Sequence, residues 1–258
     1  MGHNYKRRTD EPSPFDRNFW SKVYAVLGSE LPLLPEDREH LRERGLGDDD
    51  IKIYRSLHPD HNDHALRAVQ AAFKGRIWDV PGIIRRPDRS AGLVVNRGIL
   101  IPLIDPASRI MSFQVRTGVK GSKYVWLTRQ GVVGKEVHFA RRPVTSNWIV
   151  TEGPLKAQVA QSILGRDLEE TVIGLGGVGN WQSLVPYLTE LKPTHLSVAL
   201  DMDKQSKPGV LAAEAGLIAA AKRAGVAQVC VAEWDPKYKG LDDVLNSDHP
   251  DINERVVS

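Results

Sequence analysis

The second half of the chain alternates between short apolar runs and helix-like segments, and this alternation constrains its fold most strongly. Four runs have the β-branched and aliphatic composition of buried strands: WIVTEG (148–153), TVIGL (171–175), HLSVALD (195–201) and AQVCVAEW (227–234). Between them lie the helix-like segments PLKAQVAQSIL (154–164), NWQSLVPYLTELK (180–192) and VLAAEAGLIAAAKRAG (210–225). Strand–helix alternation with short connections predicts an α/β fold whose parallel sheet is flanked by helices.

Acidic residues follow two of these runs. Glu152 lies near the end of the first run, after WIV, and Asp201 ends the third, after SVAL. The carboxyl ends of parallel strands meet at one edge of a sheet, so these carboxylates are expected to lie close together. Side chains alternate along a strand, which predicts that Asp203 points to the same side as Asp201. Clustered carboxylates suit Mg²⁺ or Mn²⁺, although solvated acids at a wet strand end are the simpler alternative.

Composition narrows the class of protein. The chain has 258 residues, of which 41% are hydrophobic and 26% are charged, as in ordinary globular proteins. Cys230 is the single cysteine, which excludes an internal disulfide and a zinc site built from cysteines, and its apolar context predicts a buried thiol. The sequence shows no apolar run of transmembrane length and no secretory signal, so we expect a cytoplasmic protein without a membrane partner.

Charge is distributed unevenly along the chain. Residues 1–143 contain 25 Lys and Arg against 17 Asp and Glu, whereas residues 144–258 contain 10 against 15. The bias is strongest over residues 76–143, with 13 basic and 4 acidic side chains. A basic first half and an acidic second half are typical of a protein that binds a polyanion with one part and cations with the other.

The first half has weaker patterns. Residues 1–30 are polar, basic at the start and contain prolines, so they are predicted to be a mobile tail. Residues 31–57 predict two short helices, and HPDHNDH (58–64) predicts a loop rather than a histidine metal site. Two apolar runs around DPAS predict a β-hairpin over 98–118, and SKYVWLT (122–128) predicts a further strand.

A glycine motif offers a competing function. GLGGVG (174–179) matches the G-x-G-x-x-G fingerprint of dinucleotide-binding proteins, with Asp201 at a suitable distance for a ribose. That fingerprint usually follows the first strand of its domain, whereas WIVTEG precedes it here. A ribose contact would also leave Glu152 and Asp203 without a role. A tight turn that requires positive φ angles is therefore the preferred interpretation.

Several separated motifs resemble one known family. TEG (151–153), DMD (201–203) and KGLDDVL (239–245), each after a predicted strand, resemble the Toprim domain of DnaG-type primases and topoisomerases. Upstream, LRERGLGDDDI, GILIPLIDPASRIMSFQVR and SKYVWLT resemble the basic subdomain that precedes Toprim in the primase polymerase core. The resemblance covers roughly residues 31–246. It is nearest to an uncharacterised branch of Toprim proteins carried by plasmids, phages and integrative elements.

This resemblance implies a domain organisation. A basic α+β subdomain over 31–143 is expected to precede a Toprim domain over 144–246, with tails at 1–30 and 247–258. It also implies a primase-like nucleotidyltransferase that uses nucleoside triphosphates and Mg²⁺ or Mn²⁺ on single-stranded DNA, and a separate helicase as partner. The alternatives are a metal-dependent nuclease that uses the same acids and a catalytically silent DNA-binding module that assists replication.

The resemblance assigns roles to individual residues. Asp242 is the expected final metal ligand, although spacing does not separate it from Asp243. The expected metal ligands are Glu152, Asp201, Asp203 and Asp242. The residues expected to contact triphosphate or template backbone are Arg116, Lys123 and Lys135.

Lys156 departs from the primase pattern. Primases carry an aspartate four residues after the glutamate, whereas type IA topoisomerases have a lysine arrangement similar to EGPLKA (152–157). A lysine in the first turn of a helix opposes the helix dipole, so local stability does not account for it. It is expected to pair with Glu152 or Asp201 when metal is absent, or to contact a phosphate in the active complex. We expect the phosphate contact, and therefore count Lys156 with Glu152, Asp201 and Asp203 as catalytic.

Overall fold

The α/β architecture predicted from the second half of the chain is present in the computed structural model. The structure describes residues 14–119, 123–128, 136–142, 144–164 and 169–257. Its helices are α1 Pro14–Glu30, α2 Pro35–Glu43, α3 Asp48–Ile51, α4 Pro59–Phe73, α5 Pro154–Leu164, α6 Val185–Leu191, α7 Pro208–Ala224 and α8 Leu241–Leu245. Its strands are β1 Arg55–Leu57, β2 Ile83–Arg85, β3 Ala91–Leu93, β4 Gly98–Ile104, β5 Ile110–Arg116, β6 Tyr124–Trp126, β7 His138–Phe139, β8 Asn147–Thr151, β9 Glu170–Gly174, β10 His195–Val198, β11 Gln228–Trp234 and β12 Ile252–Val256. The described chain divides into a first unit (described parts of 1–32, 55–100 and 110–134) and a second unit (33–54, 101–109 and described parts of 135–258).

The first unit is an α+β structure. Its sheet has the order β1–β4–β5–β6, and β2 and β3 form a separate antiparallel pair. Helices α1 and α4 contribute to one apolar core with the sheet. Tyr24 packs edge-on against Phe113 with ring centroids 5.3 Å apart, and its hydroxyl donates to the carbonyl of Pro81 at 2.9 Å. The predicted hairpin over 98–118 and the strand that follows it are confirmed as β4, β5 and β6.

The second unit contains a six-stranded sheet in the order β12–β11–β10–β8–β9–β7. The four central strands are parallel, and the edge strands β7 and β12 pair antiparallel. Two separate apolar clusters form its core, one around Trp148 and Leu217 and the other around Ala160 and Trp234. The predicted strand–helix alternation is confirmed. Gly225 ends α7 with a φ of 85°, as its place at the end of the helix-like segment predicts.

The prediction of a mobile tail over 1–30 is wrong for the described residues 14–30. They form α1, whose side chains Trp20, Val23, Tyr24 and Leu27 are buried in the core of the first unit. These positions have helical spacing, and the burial of such an apolar face stabilises the helix.

The predicted loop at HPDHNDH is also wrong, because these residues begin α4. Pro59 occupies the first helical turn, where its missing N–H breaks no hydrogen bond. His58 caps the helix, since its Nδ1 accepts from the backbone N–H of Asp60 at 3.4 Å. The proline that suggested a loop is thus a helix start.

Two further boundaries differ from the prediction. Residues 252–256, predicted as part of a tail, form β12 and pair with β11 along five residue pairs. Residues 33–54 and 101–109, predicted in the basic subdomain, group with the second unit. One reason is a polar contact in which the Asp50 carboxylate accepts hydrogen bonds from Gln158 at 3.1 Å and Ser162 at 2.7 Å, both on α5.

The glycine motif forms the expected turn. Gly176 and Gly177 have φ angles of 74° and 117°, a region that glycine adopts without steric cost. Among the described residues, no helix has the length and apolar character needed to cross a membrane.

Candidate active site

Three loops at the carboxyl edge of the parallel sheet bring acidic and basic side chains together. Glu152 follows the last residue of β8, and Asp201 lies three residues beyond the end of β10. The loop after β11 returns to this edge, where the carbonyl of Lys239 accepts a hydrogen bond from the N–H of Met202 at 2.9 Å. Asp242 follows in α8. The structure therefore brings Glu152 and Asp201 to one edge, as the sequence predicts.

Glu152 and Asp201 form a carboxyl pair. Asp201 is 1% exposed, and burial raises the pKa of Glu152 to about 7, with a hydrogen bond to Asp201 and the charge of Asp201 adding to the rise. The charges of Lys156 and Lys239 act in the opposite direction on the Glu152 pKa. Near neutral pH the Glu152 carboxyl is therefore partly protonated, because its ionisation would place a second negative charge beside Asp201.

Two lysines contact Asp201. The Lys156 ammonium forms an ion pair with Oδ1 of Asp201, and only 22% of its side chain is exposed. Lys239 is 59% exposed, and its Nζ lies 3.5 Å from Oδ2 of Asp201 and 3.4 Å from Oδ2 of Asp203. Burial lowers the pKa of Lys239, but the charges of Asp201, Asp203 and Glu152 outweigh it and raise the pKa. Lys156 thus makes one of the two anticipated contacts, the pairing with Asp201.

Asp203 lies at this edge, but the element that carries it differs from the predicted strand. The strand ends at Val198, and Asp203 lies in a 3-10 helix over Met202–Ser206, so strand alternation does not orient it. A hydrogen bond from Lys207 at 2.6 Å lowers the Asp203 pKa, despite partial burial. The shared contact with Lys239 nevertheless places Asp203 and Asp201 on one side.

A buried ion pair supports this 3-10 helix. Lys204 donates to Oε2 of Glu214 on α7 at 2.8 Å, and its side chain is almost fully buried. Such a pair is costly to break, because removal of one partner leaves a buried charge uncompensated. The Lys204–Glu214 pair therefore fixes the segment that carries Asp203.

Asp242 and Asp243 have different surroundings. Asp242 is buried and forms an ion pair with Arg44, and burial raises its pKa against the opposing charges of Arg44 and Lys156. Asp243 is exposed, and its carboxylate caps α8 by accepting from the N–H of Gly240 at 3.0 Å. A Cβ at Gly240 would lie 2.5 Å from Oδ1 of Asp242 and 2.8 Å from Nζ of Lys156. Asp242 and the Lys156 ammonium therefore border the same glycine.

The acids fit a divalent cation by chemistry. Their oxygens are the hard ligands that Mg²⁺ and Mn²⁺ prefer, and Oδ1 of buried Asp242 has no hydrogen-bond partner among the described residues. Within the described chain, however, no three of these carboxylates gather their oxygens within 4.8 Å of one another. The Lys156 ammonium instead supplies positive charge beside Asp201. A cation held by Glu152, Asp201 and Asp242 would compete with that lysine.

The predicted phosphate-binding residues lie elsewhere in the chain. Arg116 ends β5 in the first unit, opposite Tyr124 of β6, and its Nε is buried without a hydrogen-bond partner among the described residues. Lys123 is exposed, with its Nζ 5.8 Å from the Tyr124 ring centroid. Lys135 lies outside the described residues. Two residues at the acidic edge, Arg44 and Lys239, were not predicted; Lys239 stands next to the GLDD motif, whereas no local signal marks Arg44.

Glu152→Gln is expected to change the pH dependence of stability in the metal-free protein. The folded pKa of Glu152 is raised from 4.5 to about 7, so the folded state holds a proton that the unfolded chain has released. The parent therefore loses stability as pH rises through this window, and glutamine, which mimics the protonated acid, does not. We expect the variant to gain about 1–3 kcal/mol in unfolding free energy over the parent between about pH 5 and about pH 8.

Urea unfolding at these two pH values measures the gain. Glu190→Gln, at an exposed position of α6, is the control and should show no such trend. An equal stability difference at both pH values would contradict the raised pKa of Glu152.

Comparisons with solved structures show what this arrangement is similar to. The Aquifex aeolicus primase, as its zinc-binding and RNA polymerase domains, matches with a TM-score of 0.64 and 15% identity over 93% of this chain and 60% of that one. The DnaG primase catalytic domain bound to ssDNA matches with a TM-score of 0.61 and 16% identity over 88% of this chain and 74% of that one. The RNA polymerase domain of Mycobacterium tuberculosis primase DnaG matches with a TM-score of 0.62 and 18% identity over 89% of this chain and 82% of that one.

These matches establish the fold. No protein-family model matches the sequence, and no curated protein matches it. The chain spans about three fifths of the Aquifex structure. It has the fold of DnaG-type primase catalytic cores, which confirms the resemblance in fold predicted from its motifs.

Proposed function

We propose that this chain is a primase-like nucleotidyltransferase that joins nucleoside triphosphates on a single-stranded DNA template with Mg²⁺ or Mn²⁺. The observation that carries the proposal is the buried Glu152–Asp201 carboxyl pair at the carboxyl edge of a sheet with the primase fold. We further propose that the chain acts on a mobile element together with a separate helicase. This more specific proposal rests on the sequence motifs alone.

The acids account for the cation requirement. Glu152, Asp201 and Asp242 would hold the metal, with Asp203 at the rim of the same edge. A divalent cation would supply charge to neutralise the triphosphate and to activate a 3′-hydroxyl. Because the pKa of Glu152 is about 7, cation binding at neutral pH would release the proton that this carboxyl partly holds.

The lysines provide the matching contacts for substrate phosphate. Lys156 neutralises Asp201 in the metal-free protein, and a cation at Asp201 would free its ammonium. The freed ammonium is then available to a phosphate oxygen. Lys239 is more exposed and contacts two acids, which suits a weaker, outer contact with the same anion.

Template binding is proposed for the basic first half. If residues 76–143 track the backbone of single-stranded DNA through about six phosphates, the log–log slope of affinity against salt is expected to be roughly −4. Arg116→Ala and Lys123→Ala should each weaken binding and make the slope shallower by about 0.7. Arg7→Ala, in the polar N-terminal segment, should have a smaller effect.

Fluorescence anisotropy with a labelled single strand at several salt concentrations measures these slopes. A slope near zero would mean that the positive charges of this segment do not bind DNA.

The proposed activity is tested by incubating the full chain with a single-stranded template, labelled nucleotides and Mg²⁺ or Mn²⁺. New oligonucleotides that depend on template and metal are the expected product. Shortening of the template without synthesis would identify the nuclease alternative. Binding with neither reaction would identify the silent DNA-binding module.

A further inference from the structure

A second cluster of potential ligands lies at the opposite end of β10 from the acidic edge. His195 is the first residue of β10, Cys230 lies in β11, and Glu254 lies in the edge strand β12. One ligand atom from each residue lies within 4.8 Å of the other two. Within the described chain, this is the one such group of three histidine, cysteine or acidic side chains.

Strand register explains how these side chains meet. Cys230 pairs with Ser197 of β10 and with Val256 of β12. His195 stands two positions before Ser197 on β10, and Glu254 stands two positions before Val256 on β12. A two-residue step keeps a side chain on the same face of a sheet. Both side chains therefore lie on the face of the sheet that carries the Cys230 side chain. Nε2 of His195 lies 3.9 Å from Oε2 of Glu254.

Two hydrogen bonds position the side chains of this cluster. The Gln228 amide donates to Sγ of Cys230 at 3.6 Å, and the Ser197 hydroxyl donates to Oε1 of Glu254, which holds that carboxylate above the sulfur. Cys230 is 1% exposed, whereas His195 is partly exposed and Glu254 is exposed. The cluster thus runs from the exposed Glu254 carboxylate at the sheet edge to the buried sulfur.

We propose that His195, Cys230 and Glu254 bind one Zn²⁺ ion. A thiolate with an imidazole and a carboxylate selects zinc over Mg²⁺, which prefers oxygen alone. Tetrahedral zinc with bonds of about 2.0–2.3 Å places its ligand atoms about 3.4–3.6 Å apart, so atoms that lie within 4.8 Å of one another need to close by at most about 1.4 Å. Three protein ligands leave the fourth position for water.

Such an ion would tie the edge strand β12 to β10 across β11. Zinc at about a hundredfold excess over its dissociation constant is expected to raise the thermal midpoint by about 5 °C or more. It is also expected to slow backbone hydrogen exchange in β12. This site is independent of the proposed nucleotidyl transfer, and its failure would leave that proposal intact.

Cobalt titration of the metal-stripped full chain tests the site, because a Co²⁺–thiolate bond gives a near-ultraviolet charge-transfer band. Excess Mg²⁺ is present during the titration to occupy the acidic edge, so that cobalt does not bind there. One cobalt per chain with this band is expected, Zn²⁺ should displace it, and Cys230→Ser should lose the band. His195→Gln and Glu254→Gln should weaken cobalt binding by about tenfold or more.

Two control variants show whether cobalt binds at His195, Cys230 and Glu254 rather than elsewhere. Asp201→Asn at the acidic edge and His249→Gln at an exposed position should keep the band and the affinity of the parent. Absence of the band in the parent would overturn the proposal. If Cys230→Ser fails to fold, Glu254→Gln at the exposed edge decides, since parental affinity in that variant would also overturn it.

Discussion

Asp201→Asn is expected to lower nucleotide incorporation by at least about 10³-fold, the largest effect of any single substitution proposed for this chain. Asp201 is the buried acid at which Glu152, Lys156 and Lys239 meet. Asparagine has the same size but lacks the negative charge that a cation requires. Manganese affinity, measured by calorimetry, should fall by at least about tenfold.

Asp235→Asn is the matched control for this variant. Asp235 follows β11, is exposed and pairs with Lys237 at 3.2 Å. It should retain activity and manganese affinity. Unchanged manganese affinity in Asp201→Asn, with a native circular dichroism spectrum, would exclude Asp201 as a metal ligand.

Lys156→Ala is expected to reduce turnover by about 10²-fold or more, as for the loss of one charged contact in the transition state. Manganese affinity should stay the same or rise, because Lys156 pairs with Asp201 and so competes with a cation there. Lys156→Asp adds a carboxylate to the same edge and should shift the metal preference towards a two-metal site.

A loss of turnover in Lys156→Ala without a loss of manganese affinity distinguishes a phosphate contact from a structural role. Lys239→Ala should have a smaller effect on turnover, since its side chain is largely exposed, and Lys237→Ala should have none. Turnover of Lys156→Ala equal to that of the parent would show that Lys156 does not contact substrate.

The second unit was predicted well because its signals are local. The apolar runs of the parallel strands and the proline and glycine at helix ends each constrain a few neighbouring residues. Glu152 and Asp201 could be placed together because parallel strands end at one edge. Asp203 was assigned to the correct side for the wrong reason, since a 3-10 helix rather than the strand carries it.

The errors arose where tertiary packing outweighs local composition. The polar, proline-containing start of the chain favours a tail over residues 1–30, although Trp20, Val23, Tyr24 and Leu27 have helical spacing. Strand β12 is exposed along most of its length, so only its pairing with β11 identifies it. Arg44 and Lys239 reach the acidic edge through loops whose course no short pattern encodes.

The ion pair between Arg44 and Asp242 joins residues 198 positions apart within the second unit. During synthesis on the ribosome, Arg44 emerges long before its partner, so the acidic edge is completed only when almost the whole chain is available. A fragment that starts at residue 135 would contain every acid of this edge but would leave Asp242 buried without its guanidinium. The smallest autonomous form of this site therefore includes residues 33–54, although these residues precede the sheet by about a hundred positions in the sequence.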